Sequence, residues 1–249
     1  MIIHAIPLFL TFGDKSRQTY RLNLGQPLGL VNYVWYIEGT REKILVDAGG
    51  SPEFFRRQGI HVEDVQTLDS GLRKVGLTCD DIDLIILTHL HPDHVAQASQ
   101  FPRAKFLVQK DELEFSRRPH PAVASSYAHD FFNGLEFIIL DGDAEVSDGV
   151  SVIKTPGHSK GGQSVGVQTA QGLVIISGLC TIRENFEPPP PLNRSYSVIV
   201  PTIHLDVLES YDNLMKLKGI ADKVLPLHDS HENLRDFDST IVKFELPDK

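Results

Sequence analysis

The apolar positions of this chain change period along its length. The opening run Ile2–Phe12 and the segments Val31–Ile37 and Lys43–Val46 are dense in β-branched and aromatic residues and punctuated by Gly, Pro and Asn, which predicts strands of a first sheet. From Pro52 to Leu77 the spacing lengthens. Phe54 and Phe55, then Val65, Leu68, Leu72 and Val75, recur three or four apart and predict two short helices. Leu84-Ile85-Ile86-Leu87-Thr88 is continuously apolar up to its last residue, as expected of a strand covered on both faces. Lys105–Val108, Glu136–Leu140, Val150–Lys154, Gln163–Gln168 and Leu173–Ser177 continue the strand pattern, and Leu205–Leu217 returns to helical spacing.

Strands followed by helices in each of two halves predict an α/β chain with two sheets face to face and helices outside, a four-layer αββα sandwich. There is no repeat of solenoid period, and the one biased segment, Pro188–Pro191, reads as a stiff turn rather than a linker. With no composition break, residues 1–249 read as a single domain.

Composition narrows the class of partner. Hydrophobic residues make up 41% and charged residues 23%, ordinary for a packed core. A net charge of −9 without a Lys/Arg run argues against the basic face that nucleic-acid binding needs. The N-terminal apolar run contains His4 and Pro7, lacks a basic flank and is too short to span a bilayer, so no signal peptide or membrane anchor is expected. Two cysteines, Cys79 and Cys180, are too few for a disulfide framework and suggest a cytoplasmic location, although one bridge between them stays open, as does a homodimer.

The chemistry concentrates in His89-Leu90-His91-Pro92-Asp93-His94, three imidazoles and a carboxylate directly after the buried strand. Borderline divalent metals favour this mixture of nitrogen and oxygen donors. His89 and His91, two apart, can point together from a strand end, and Pro92 suits the first turn of a helix that would carry Asp93 and His94. Left without a cation, so many clustered imidazoles would be costly to bury. Thr155-Pro156-Gly157-His158 ends another strand in a sharp turn, and Val224-Leu225-Pro226-Leu227-His228 puts one more histidine after a short apolar run. His4, His61, His120, His129, His204 and His231 have no such surroundings, although His120 and His129 fall in a lid segment from which one could touch substrate; Cys79 stands beside an acidic turn and reads as inert.

Together Thr88-His-Leu-His-Pro-Asp-His94, the Pro-Gly-His158 turn and the late His228 resemble the metallo-β-lactamase superfamily. The resemblance extends to Asp47-Ala48-Gly49-Gly50 and to Gly76-Leu77-Thr78 with Asp81-Ile82-Asp83. It implies the αββα sandwich, one zinc on His89, His91 and His158, a second on Asp93, His94 and His228, and Asp47 behind the site in support. One or two ions are implied per chain, with iron or manganese as alternatives to zinc.

The chain departs from the family where a bridging Asp is expected after the strand that follows the Pro-Gly-His turn. Ile175-Ile176-Ser177-Gly178-Leu179-Cys180 contains none. The zinc-dependent β-lactamases carry a cysteine at this place, so Cys180 is either a thiolate ligand of the second metal or a small buried hydrophobe.

The reaction implied is hydrolysis by a zinc-activated water, with Asp93 also orienting that water and passing its proton to the leaving group. Arg183-Glu184-Asn185-Phe186-Glu187-Pro188 and the segment Ile203–Tyr211 resemble the N-acyl homoserine lactonase-like branch, so a lactone is the expected substrate. Where established lactonases carry a Tyr that contacts the lactone carbonyl, this chain has Thr181-Ile182-Arg183. Thioester hydrolysis of the glyoxalase II type and a non-catalytic metal-binding module are the alternatives. Asp14–Pro27, Lys110–Phe132 and Pro188–Val200 are expected to wall the pocket.

Overall fold

In a computed structural model, which describes residues 1–231 and the strand 242–244, the first long strand, β1 (Ile2–Asp14), pairs antiparallel with β2 (Pro27–Glu38). Their register slips between Pro7 and Phe9. Pro7 has no N–H to give the ladder, and the irregularity frees the Leu8 carbonyl for the N–H groups of Val65 and Gln66, at 2.9 and 3.1 Å.

The first sheet adds β3 (Ile44–Val46), β4 (Val62–Asp64), β5 (Leu84–Ile86), β6 (Lys105–Gln109) and β7 (Phe137–Leu140). Its order is β13-β1-β2-β3-β5-β6-β7, with β4 also on β1, and β13 (Val242–Phe244) lies parallel to β1. The second sheet runs β12-β11-β10-β9-β8, from Lys223–Leu225, Gly172–Ile176, Gln163–Thr169, Val150–Lys154 and Ala144–Ser147 respectively. The chain does not divide cleanly into one sheet per half, because β13 returns to the first sheet.

Three buried clusters define the layers. Between the sheets lie Ile3, Trp35, Val46, Ile86, Val152, Val165 and Ile176. Outside the first sheet, Ile6, Phe9, Leu45, Ile85 and Phe106 meet Leu68 and Leu72 of α2 (Leu68–Lys74), Leu113 of α4 (Lys110–Arg117) and partly buried Phe55 of α1 (Pro52–Arg57). Outside the second, Ile153 and Ile175 meet Phe186 of α5 (Arg183–Phe186) and Leu214 and Leu217 of α6 (Val207–Ile220). This is the αββα sandwich expected from the sequence.

Ile85 joins the outer cluster while Leu84 and Ile86 join the inner one, so the unbroken apolar run of β5 reflects burial on both faces. The helical spacing between Pro52 and Leu77 resolves into α1 and α2 with β4 between them, and Leu205–Leu217 becomes α6, capped by Asp206 on the N–H groups of Leu208 and Glu209. Both cysteines are free thiols. Among the described residues no helix is long and apolar enough to cross a membrane.

Candidate metal centre

The singled-out residues emerge from one edge of the sandwich. Asp47 follows β3, His89 and His91 follow β5, His158 follows β9 and His228 follows β12. β3 and β5 are parallel, and the pairing of β9, β10, β11 and β12 makes β9 run with β12, so these strands deliver their C-terminal ends from both sheets to a common edge. Pro92 opens the one-turn helix α3 (Pro92–Val95), with His91 as its N-cap residue, and Asp93 and His94 fall in that turn as predicted.

Two compact donor groups result. In one, His89, His91 and His158 each bring a donor atom within 4.8 Å of the others; in the other, His89, Asp93 and His94 do so. His89 thus borders both groups. His228 Nε2 approaches Asp93 Oδ2 at 3.5 Å without joining either. Cys180 is buried and joins neither among the described residues; its Sγ lies 3.6 Å from both Oε1 and Nε2 of Gln18.

The outward nitrogens fix what the inward ones can do. His158 Nδ1 donates to the Ile203 carbonyl at 2.7 Å, and His228 Nδ1 to the Val31 carbonyl at 3.0 Å. His94 Nδ1 donates to Asp47 Oδ2 at 2.7 Å. The Thr88 hydroxyl donates to Asp47, which leaves its oxygen to accept from His89 Nδ1 at 3.1 Å. Each of these imidazoles therefore turns its Nε2 inward.

The inward faces bring ring nitrogens and a carboxylate oxygen close together. His89 Nε2 and His158 Nε2 stand 3.1 Å apart, and His94 Nε2 lies 3.2 Å from Asp93 Oδ2. Among the described residues, Nε2 of His94 and of His228 are buried without a hydrogen-bond partner. The lone pairs of His89 and His158, opposed at 3.1 Å, repel unless a cation lies between them, and imidazole with carboxylate is a donor set that zinc-like ions accept. The residues present fit a divalent metal.

The imidazoles divide electrostatically. Burial, then the charges of neighbouring histidines, hold His89 well below the ordinary imidazole range, and burial lowers His158 and His228 to about 4. Burial opposes charge on Asp93, but His94, His228 and His91 outweigh it and keep the carboxylate ionised far into acid. Burial also opposes charge on His94, yet Asp93 and Asp47 raise it to about 10. The Cys180 thiol is pushed up to about 12, by burial first and the Asp93 charge second.

Asp47 touches both His94 and Thr88. It is fully buried, has φ 62°, and its carboxylate accepts the Thr88 N–H at 2.7 Å in addition to the bonds above. Where a bridging carboxylate was expected, the chain offers none. A Cβ at Gly178 would land on the Gln163 carbonyl, so no side chain fits there, and Leu179 turns into the outer cluster that includes Leu214 and Leu217.

A pocket of about 100 Å³ opens beside Asp93. One face of the β1–β2 hairpin lines it with Thr11, Leu28, Leu30 and Asn32, and Phe55, Ile60 and Ile203 add apolar wall. The 14–27 segment contributes Asp14, Arg17 and Gln18. Asn32 and Gln18 are each 3% exposed, and among the described residues the Asn32 amide makes one long bond, 3.4 Å, to the Leu30 carbonyl.

Two expectations about the walls need correction. Pro188–Val200 does not line this pocket; Ile203, just beyond it, does, because the chain there is held by His158 and by the bond from Leu205 N–H to the Gly157 carbonyl. Neither His120 nor His129 reaches the pocket. His120 accepts the Ala122 N–H and His129 donates to the Ser116 carbonyl; instead Tyr127 of the 110–132 segment packs on His91, ring centroids 4.9 Å apart. Sequence reasoning missed Asn32, Gln18 and Tyr127, none of which belongs to a motif, and also Glu112, whose only signal is an acidic residue in the first turn after a strand.

Fold and donor set define a metallo-β-lactamase-type centre. Residues 28–219 match the Metallo-beta-lactamase superfamily, and the chain belongs to it. A curated N-acyl homoserine lactonase from Bacillus thuringiensis is 27% identical over 240 residues, covering 90% of each chain, and one from Bacillus cereus is 29% identical over 213 residues, covering 76% of this chain and 80% of that one. Among solved structures, an N-acyl homoserine lactone hydrolase with the product N-hexanoyl-L-homoserine at its catalytic metal centre superposes with TM-score 0.75 at 24% identity, covering 95% of both chains.

Proposed function

We propose that the chain is a metal-dependent hydrolase that opens the ester bond of a small lactone of the N-acyl homoserine lactone type, working with zinc and acting as a single domain in the cytoplasm. The observation that carries this reading is the convergence of four Nε2 atoms, each positioned by an outward hydrogen bond, around the ionised Asp93. The similarity to lactonases over 90% of the chain supports the choice of ester.

In this reading His89, His91 and His158 hold one ion, and Asp93, His94 and His228 the second, with His89 close to both. Asp47 braces His94 and Thr88, and Cys180 offers a sulfur to the second position. When bound, the ion supplies Lewis acidity and lowers the pKa of water to about 7; iron or manganese suits the same donors. Asp93 orients the water and passes its proton to the departing ring oxygen. Leu28, Leu30, Phe55 and Ile60 accept an acyl chain, while the buried amides of Asn32 and Gln18 meet a polar group of the substrate.

Proton release from acyl homoserine lactones, simple γ- and δ-lactones and glutathione thioesters, measured with zinc-loaded and chelated protein, tests this directly. Selective, chelator-sensitive turnover of the lactones is expected. Selective thioester turnover would replace the lactone with a thioester, and no turnover at all with metal retained would leave a metal-binding module.

A further inference from the structure

A fully buried glutamate is rare unless a cation pairs with it. Glu112, in the first turn of α4, is such a residue, yet its hydrogen-bond partners are all uncharged. Oε1 accepts the N–H of Leu90 at 3.0 Å and Oε2 the N–H of Gly161 at 2.9 Å; the Tyr127 hydroxyl lies 3.5 Å from Oε1, at the outer limit of such a bond.

These partners are placed with respect to the donor groups. Leu90 is the residue between His89 and His91, so its N–H belongs to the short backbone link joining two donors. Gly161 closes the turn that carries His158, and its lack of a side chain is required: a Cβ there would land on the backbone nitrogen of Glu112. Tyr127 is the lid residue whose ring packs on His91. One carboxylate thus joins a loop from the first sheet, a loop from the second and the lid.

We propose that Glu112 is a positioning residue for the metal centre: its two oxygens set the spacing between the His89–His91 loop and the His158 loop, and its contact with Tyr127 carries that spacing to the lid. The proposal rests on the metal-centre reading above but not on the identity of the substrate. A carboxylate suits the task because it offers only acceptors, and both backbone N–H groups can bond at once with charge assistance. In Glu112→Gln one of these N–H groups would face an amide NH₂, so the pair of loops could no longer be held by both oxygens.

The test uses the full chain and zinc, without substrate. In competition with a chelator, Glu112→Gln is expected to bind zinc ten- to a hundredfold more weakly, the loss typical of groups that orient metal ligands. In ¹⁵N-labelled, zinc-loaded protein the Leu90 and Gly161 amide protons should move upfield in the variant as their charge-assisted bonds are lost. Unchanged zinc affinity with unmoved amides would overturn the proposal. Should the variant not fold, hydrogen exchange in the wild-type chain gives the same decision: Leu90 and Gly161 should be protected with zinc and lose protection together on chelation, and one opening without the other would refute the shared carboxylate.

Discussion

His158 gives its Nδ1 proton to the carbonyl of Ile203, 2.7 Å away, and that bond decides which nitrogen faces the donor cluster. The same device recurs at His228 with Val31 and at His94 with Asp47.

His91→Ala removes one of three donors from its group. Metal content, read by elemental analysis after gel filtration, is expected to fall, and kcat/KM to drop at least a thousandfold, about 4 kcal/mol. Full metal content in this variant would remove His91 from the ligand set.

Asp47→Asn keeps a residue that tolerates the observed φ of 62° but gives up the carboxylate that both His94 and Thr88 use. Zinc affinity should weaken ten- to a hundredfold while the far-ultraviolet spectrum stays the same. Unaltered affinity would reduce Asp47 to a backbone role.

The chelated protein should be most stable near pH 6.5. His158 and His228 have folded values near 4, below the ordinary 6.5, so their contribution is present above 6.5 and is lost as pH falls toward 4. His94 has a folded value near 10, so its contribution is complete below 6.5 and is lost as pH rises toward 10. Thermal melts across pH should show both limbs, and zinc should abolish the alkaline one by taking the place of the His94 proton. A flat profile in the chelated protein would contradict these assignments.

Cys180→Ser tests the thiol. If sulfur holds the second ion, zinc per chain should fall toward one with the His89–His91–His158 group still filled. An unchanged ratio would leave Cys180 as the packing and hydrogen-bond partner of Gln18.

Asn32→Val retains a good strand former but removes the polar group from the pocket wall. For amide-bearing lactones KM should rise about tenfold, the worth of one hydrogen bond of about 1.4 kcal/mol, with kcat little altered. Equal KM values for all substrates would show that Asn32 does not touch them.

The sandwich was legible because burial leaves a periodic trace. β5 on both faces and α6 on one face are written in their apolar spacing, and Pro92 announced the turn that carries Asp93 and His94. The residues that brace the site left less of a trace. Glu112 acts on backbone N–H groups 22 and 49 residues away, and such partners have no side-chain signature. Nor could spacing reveal that His89 would border both donor groups, since that depends on how closely the two sheet edges approach.

Because the donors come from the ends of strands in both sheets, an ion held there is also a cross-link. Joining His89 to His228 closes a chain loop of roughly 140 residues, a closure whose entropy the unfolded chain would otherwise retain. A resident metal would therefore act as a clasp for the whole sandwich, and its loss would be felt first as a gap between the two sheets at that edge.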